Sequence, residues 1–204
     1  MSAISETFVR EYFEMHGFLV RQQRKFVAPN RREDEEFDFF VLNPGVQPSS
    51  EPMPFVLGNR DLMRLGQGVV VVKGWHTETF TPGLLAHAPE IYRFVEPCVF
   101  QQAVKAFGNR QSLTKILVVP ALPQALEARE ESIQFLRAKG VDAVIPFSHI
   151  LTDLLERIEV NRNYQKSDLL QVLRILKNYG FVRDAQMELF GAPKLRARRK
   201  SPAK

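Results

Sequence analysis

The pattern of apolar and polar positions divides the chain into alternating elements. Phe8, Val9, Tyr12, Phe13 and His16 recur at helical spacing and form one stripe of an amphipathic helix, stopped by Gly17. Phe18 to Phe26 reads as a strand. A charged turn at Arg31 to Glu35 separates it from a second strand, Glu36 to Leu42, which Asn43-Pro44-Gly45 ends. Residues 44 to 66 are rich in proline and glycine and read mostly as an exposed loop. Gly68 to Lys73, with four consecutive valines, predicts a third strand buried on both faces. Helix and strand then alternate. Turns around Leu84 to Phe94 precede a helix at Pro97 to Phe107, and Lys115 to Val119 is a strand. Gln124 to Lys139 is a helix closed by Gly140, Val141 to Ile145 a strand, and Ser148 to Val160 a helix. Ser167 is the N-cap of a last helix through Tyr179, with Gly180 beyond its end. Three adjacent strands followed by this alternation imply an α/β protein with a mixed sheet flanked by helices.

Composition narrows the class. The chain has 204 residues, 45% hydrophobic and 25% charged, which fits a globular domain. No apolar run approaches the roughly 18 residues of a membrane helix, so no membrane partner is expected. Met1 to Gly17 lacks a signal-peptide apolar core. With one cysteine, an intrachain disulfide is excluded, and a cytoplasmic location is expected. Cys98 could be a nucleophile, but it has no nearby histidine in sequence and reads rather as a small buried core residue. The formal charge of +5 is unevenly placed: residues 191 to 204 carry six basic residues and no acid. Without them the chain has 22 basic and 23 acidic residues. The surplus is therefore a terminal arm, read from composition as a disordered basic tail that either contacts phosphates or merely solubilises the chain. Residues 1 to 160 read as the α/β domain and 161 to 190 as a helical extension packed on it, or on a second copy of the chain. A winged-helix role for that extension lacks a preceding helix-turn-helix glycine turn.

Chemistry concentrates in the three-strand unit. Alternation puts Asp38 mid-strand on one face with Glu36, Phe40 and Leu42, while Phe37, Phe39 and Val41 share the other. A carboxylate in such apolar surroundings needs a partner. Val69, Val71 and Lys73 share a face of the third strand, so Asp38 and Lys73 can converge. They could form a plain ion pair, or a site where the carboxylate holds a hard divalent cation and the ammonium steadies a water or phosphate. Trp75 and His76 follow directly. Trp75 could stack on a base and His76 contact a phosphate or transfer a proton, or Trp75 and Phe80 could simply plug the sheet edge. Arg21, Arg24 and Lys25 form a basic patch on the first strand.

The order of the first helix, "HGFLV", "EEFDFFVLNP" and "GVVVVKGW" resembles the core of the PD-(D/E)XK nucleases, the restriction-endonuclease-like fold. That resemblance, over residues 4 to 146, implies an αβββαβ core with an aspartate on its second strand, matched by Asp38. On the third strand the family carries an acidic residue, any residue and a lysine, the last matched by Lys73. Glu6, eleven residues before Gly17-Phe18, matches a first-helix glutamate found in some members. The implied activity is DNA endonuclease chemistry, a phosphodiester hydrolase using Mg2+ or Mn2+, with Asp38, Lys73 and Glu6 catalytic and Asp38 and Glu6 as metal ligands. Arg21, Arg24, Lys25, Trp75 and His76 would bind nucleic acid. One position departs: Val71 stands where the family has an acid, leaving Glu6, Glu36 or Glu78 to replace it. The alternative is a catalytically inactive nuclease-fold protein that binds nucleic acid or another protein.

Overall fold

In the computed structural model, residues 3–22, 37–47, 51–108 and 113–182 are described. Among them, six α-helices and five strands alternate much as the pattern predicts. Helix α1 (Ala3–Met15) is followed by β1 (Leu19–Gln22), β2 (Phe39–Leu42) and β3 (Gln67–Val72). Then come α2 (Pro82–His87), α3 (Pro97–Ala106), β4 (Thr114–Val119), α4 (Leu126–Ala138), β5 (Ala143–Pro146), α5 (Phe147–Arg157) and α6 (Asp168–Asn178). Gly17 ends α1 at a positive φ of 82°, a conformation open to glycine without strain.

The strands lie in sequence order in one mixed sheet. β1, β2 and β3 form an antiparallel meander, whereas β3, β4 and β5 are parallel. Two apolar layers cover its faces. Val70 and Val72 of β3, with Phe39 and Val41 of β2, meet Val9, Tyr12 and Phe13 of α1, Ile150 and Leu154 of α5, and Leu170 and Leu173 of α6. Val69 and Val71, with Phe40, meet Leu85 of α2, Ala103 of α3 and Leu136 of α4. Every residue of β3 is buried, as its valine run requires.

Several expectations change. The segment before β3 is not mainly an exposed loop: Phe55, Leu57, Leu62 and Leu65 are buried. Residues 55 to 57 run beside β5, where Val144 N–H donates to Phe55 O at 2.7 Å and Leu57 N–H to Val144 O at 2.9 Å. Val56 bridges Val144 in parallel. Prolines mask this short apolar run in the sequence, yet it covers the edge of the sheet. Cys98 is exposed in the first turn of α3, not a core residue.

The last helix packs on α1 and α5 through Leu170 and Leu173. Ser167 caps it, accepting from Leu170 N–H at 3.2 Å, as predicted. Its cations serve the end of α5. Lys177 Nζ donates to Leu155 O at 2.9 Å and Ile158 O at 3.0 Å, and Arg174 Nε to Val160 O at 2.7 Å. The Lys177 bonds satisfy carbonyls in the last turn and cap of α5, and the Arg174 bond one just beyond it. At the far end of α1, His16 Nε2 lies 2.8 Å from Asp153 Oδ2, which also accepts from Arg157 Nε at 3.0 Å. Burial pushes the His16 imidazole below its ordinary pKa, against the opposing pull of Asp153.

Candidate functional site

Lys73, Trp75 and His76 follow the end of β3, and Asp38 accepts from Val72 N–H there. A parallel strand running into a loop at a sheet's carboxyl edge is the usual place for ligands in α/β folds. β3 delivers Lys73 there, and Asp38 leads into its neighbour β2.

Asp38 is not mid-strand, as alternation suggests, but immediately precedes β2. Its N–H donates to Val70 O at 3.0 Å, and its Oδ2 accepts from Val72 N–H at 2.7 Å. The side chain therefore supplies an acceptor where the β2 backbone leaves the ladder. This departure also explains Phe37. It packs with Phe40, at 5.8 Å between rings, on the face opposite the one its alternation with Phe39 predicts. Asp38 is 2% exposed, so a residue without an acceptor here would strand a buried N–H.

Lys73 follows Val72 directly. Its N–H donates to Val118 O at 3.0 Å, holding the chain against β4. Its ammonium donates to Glu90 O at 3.1 Å, in the short 3-10 turn Pro89–Ile91. Glu6 approaches from α1. It is buried, and its Oε2 accepts from Gln22 Nε2 at 2.9 Å. Gln22 is the last residue of β1 and pairs with Phe39, next to Asp38. Glu6 and Asp38 thus lie near one end of the meander, where the Lys73 backbone also leaves β3, while the Lys73 ammonium donates to Glu90 O.

The loop after Lys73 is fixed to α1. Ser5 Oγ lies 2.8 Å from His76 Nε2, and the His76 ring meets Phe147 at 4.5 Å. Trp75 is half-buried and packs on the fully buried Phe80 with ring centres 5.7 Å apart. Glu78 is exposed in a turn that its N–H closes onto Trp75 O at 2.8 Å. Arg21 is exposed on β1. Arg24, Lys25, Glu36 and the basic arm lie outside the described residues.

A divalent cation fits this donor set sparsely. Val71 is 2% exposed in the apolar layer with Phe40 and Leu117, so its position offers no ligand. Among the described residues, no three His, Cys, Asp or Glu side chains are grouped to hold a metal. One or two carboxylates suffice, however, for a magnesium ion that keeps several waters and shares a phosphate with its substrate. Val72 N–H and Gln22 donate to Asp38 and Glu6 and so orient both carboxylates.

Sequence reasoning missed Ser5, Gln22 and Phe147. Gly74 was the available signal, because a glycine straight after a strand marks close approach by another part of the chain. Among the described residues, no helix is long and apolar enough to cross a membrane. Compared with family models, curated proteins and solved structures, the chain matches none.

Proposed function

We propose that the chain is a nuclease-like protein of the PD-(D/E)XK type that hydrolyses phosphodiester bonds in DNA with a divalent cation. The observation that supports this reading is Asp38, held by Val72 N–H, at the end of the meander where Lys73 leaves β3, with Glu6 bonded to Gln22 of neighbouring β1. The helix, antiparallel meander, helix and parallel strand also follow the αβββαβ order that the resemblance implies.

Asp38 and Glu6 would hold Mg2+ or Mn2+, each oriented by its hydrogen bond. When bound, the cation supplies Lewis-acid stabilisation of charge on a phosphate oxygen. Lys73 contributes a positive charge at the strand end, able to steady the attacking water or the charge that develops on the phosphate. Arg21, Arg24, Lys25 and the basic arm contact the backbone of the substrate, which positions it without reading sequence. The working location is the cytoplasm.

Cleavage of plasmid and branched DNA in Mg2+ or Mn2+ tests this. Asp38→Asn and Lys73→Ala should each lose activity, and cleavage at the wild-type rate in both variants rejects the assignment. A second reading is favoured by Val71, whose burial in the apolar layer removes a ligand position. In it the protein binds nucleic acid, or another protein, without cleaving. DNA affinity that falls steeply with salt, without metal-stimulated cleavage, would select a nucleic-acid-binding module.

A further inference from the structure

His76 is exposed, yet its ring is held on two sides. Ser5, 2% exposed in the first turn of α1, places Oγ 2.8 Å from Nε2. Phe147, which opens α5 directly after β5, meets the ring edge-on at 4.5 Å. Gly74 makes the approach feasible. A Cβ there would lie 2.9 Å from Ser5 Oγ and 3.4 Å from Ser5 Cβ, so a side chain would force the Ser5 hydroxyl out of its present position. The contact is thus built from three elements that meet at the carboxyl end of the sheet, beside Glu6 and three residues past Lys73.

An exposed side chain gives up rotational freedom when it is fixed. Fixing a ring by one nitrogen leaves the other in a defined direction. Nδ1 of His76 makes no hydrogen bond among the described residues. If the Ser5 hydroxyl donates to Nε2, the neutral ring carries its proton on Nδ1. A doubly protonated ring also has a proton there. In both of these states Nδ1–H is a donor on an exposed ring, suited to an anionic oxygen.

We infer that Ser5 is the positioning residue of His76, and that the ring it holds presents Nδ1–H to a phosphate oxygen of a phosphodiester. The inference deepens the functional reading above and rests on it for the class of ligand. It does not require cleavage.

Full-length protein with 15N-labelled histidine reports the ring nitrogens directly, with His76→Gln identifying the signals. A short DNA duplex and inorganic phosphate are titrated separately. The free protein should show a protonated Nδ1 at His76, and the duplex should shift it. Ser5→Ala should release the fixed ring state and weaken duplex binding about fivefold, the size of one hydrogen bond, while its circular dichroism stays that of the wild type. A merely structural Ser5 would alter stability and leave the His76 signals in place. A bare Nδ1 in the free protein overturns the inference. So does duplex binding that leaves His76 unmoved, or a Ser5→Ala variant with unchanged ring signals and affinity. A response to inorganic phosphate alone removes the phosphodiester as ligand. Absence of cleavage by the wild type defeats only the hydrolase reading and leaves the ring measurements to decide this one.

Discussion

Replacing Asp38 separates its structural work from its chemistry. Its Oδ2 lies 2.7 Å from Val72 N–H in a place 2% exposed to solvent. Asp38→Ala leaves that N–H buried without the acceptor, at about 1–3 kcal/mol. For a chain of this length a loss of about 2 kcal/mol lowers Tm by about 4–8 °C. Asp38→Asn keeps an amide oxygen for Val72 and surrenders only the charge, so its loss should be about 1 kcal/mol or less. Urea unfolding followed by the fluorescence of Trp75, the sole tryptophan, reads both variants. Hydrogen exchange at Val72 should quicken in the alanine variant and stay slow in the asparagine one. An alanine variant as stable as the wild type would refute the ladder role. Equal losses for alanine and asparagine would show that charge, not the acceptor, is what the site needs. If Asp38→Asn folds well yet loses metal-dependent cleavage, the carboxylate has a chemical role beyond the ladder.

Four further outcomes are expected. Burial lowers the His16 pKa in the folded state, so the unfolded chain binds more protons as pH falls through its ordinary value near 6.5. Stability contributed by the neutral ring is therefore present above that pH and lost below it, and the drop in urea midpoint between pH 8 and pH 5 should shrink in His16→Gln. Leu57→Pro removes the N–H that donates to Val144 O and should lower stability by about 1–3 kcal/mol in a urea melt; an unchanged midpoint would deny the segment its part in the sheet. Lys177→Met withdraws a donor from two carbonyls at the end of α5 and should cost about 1–2 kcal/mol in thermal unfolding without changing DNA affinity, since this cation serves the fold. Truncation after Phe190 removes six basic residues and should flatten the salt dependence of DNA binding while leaving the unfolding midpoint alone; identical salt slopes would discharge the arm from any role in binding.

The long periodic segments were legible in the sequence because burial on one face imposes a period. The stripe from Phe8 to His16 gives α1, the valines of β3 give a strand buried on both sides, and Ser167 caps α6 as its position suggests. What escaped depends on pairing across distance. Phe55 to Leu57 are too few, and too surrounded by proline, for a period to show, and their place beside β5 follows from contacts some ninety positions away. Alternation misplaced Phe37 because it assumes an unbroken strand, whereas the backbone leaves the ladder at Asp38. Asp38, Lys73 and Glu6 could be nominated from residue type and spacing. The partners that orient them, Val72 N–H, Gln22 and Glu90 O, could not, because hydrogen bonds between remote positions leave no local pattern. Ser5 is the same case: a serine in a first helical turn reads as ordinary until the loop carrying His76 is seen against it.

The strip at residues 55 to 57 also sets a timetable. During synthesis it leaves the ribosome long before Val144, its partner on β5, has been made. For that interval Phe55, Val56 and Leu57 are an apolar run with unmet backbone groups, the kind of segment that recruits neighbouring chains. Pro52 and Pro54 stand immediately before it, and neither has an N–H to offer a stray strand. The residues that hid this element from a reading of the sequence thus also guard it while it waits. Replacing both prolines should leave the finished sheet intact while raising the yield of aggregate during refolding.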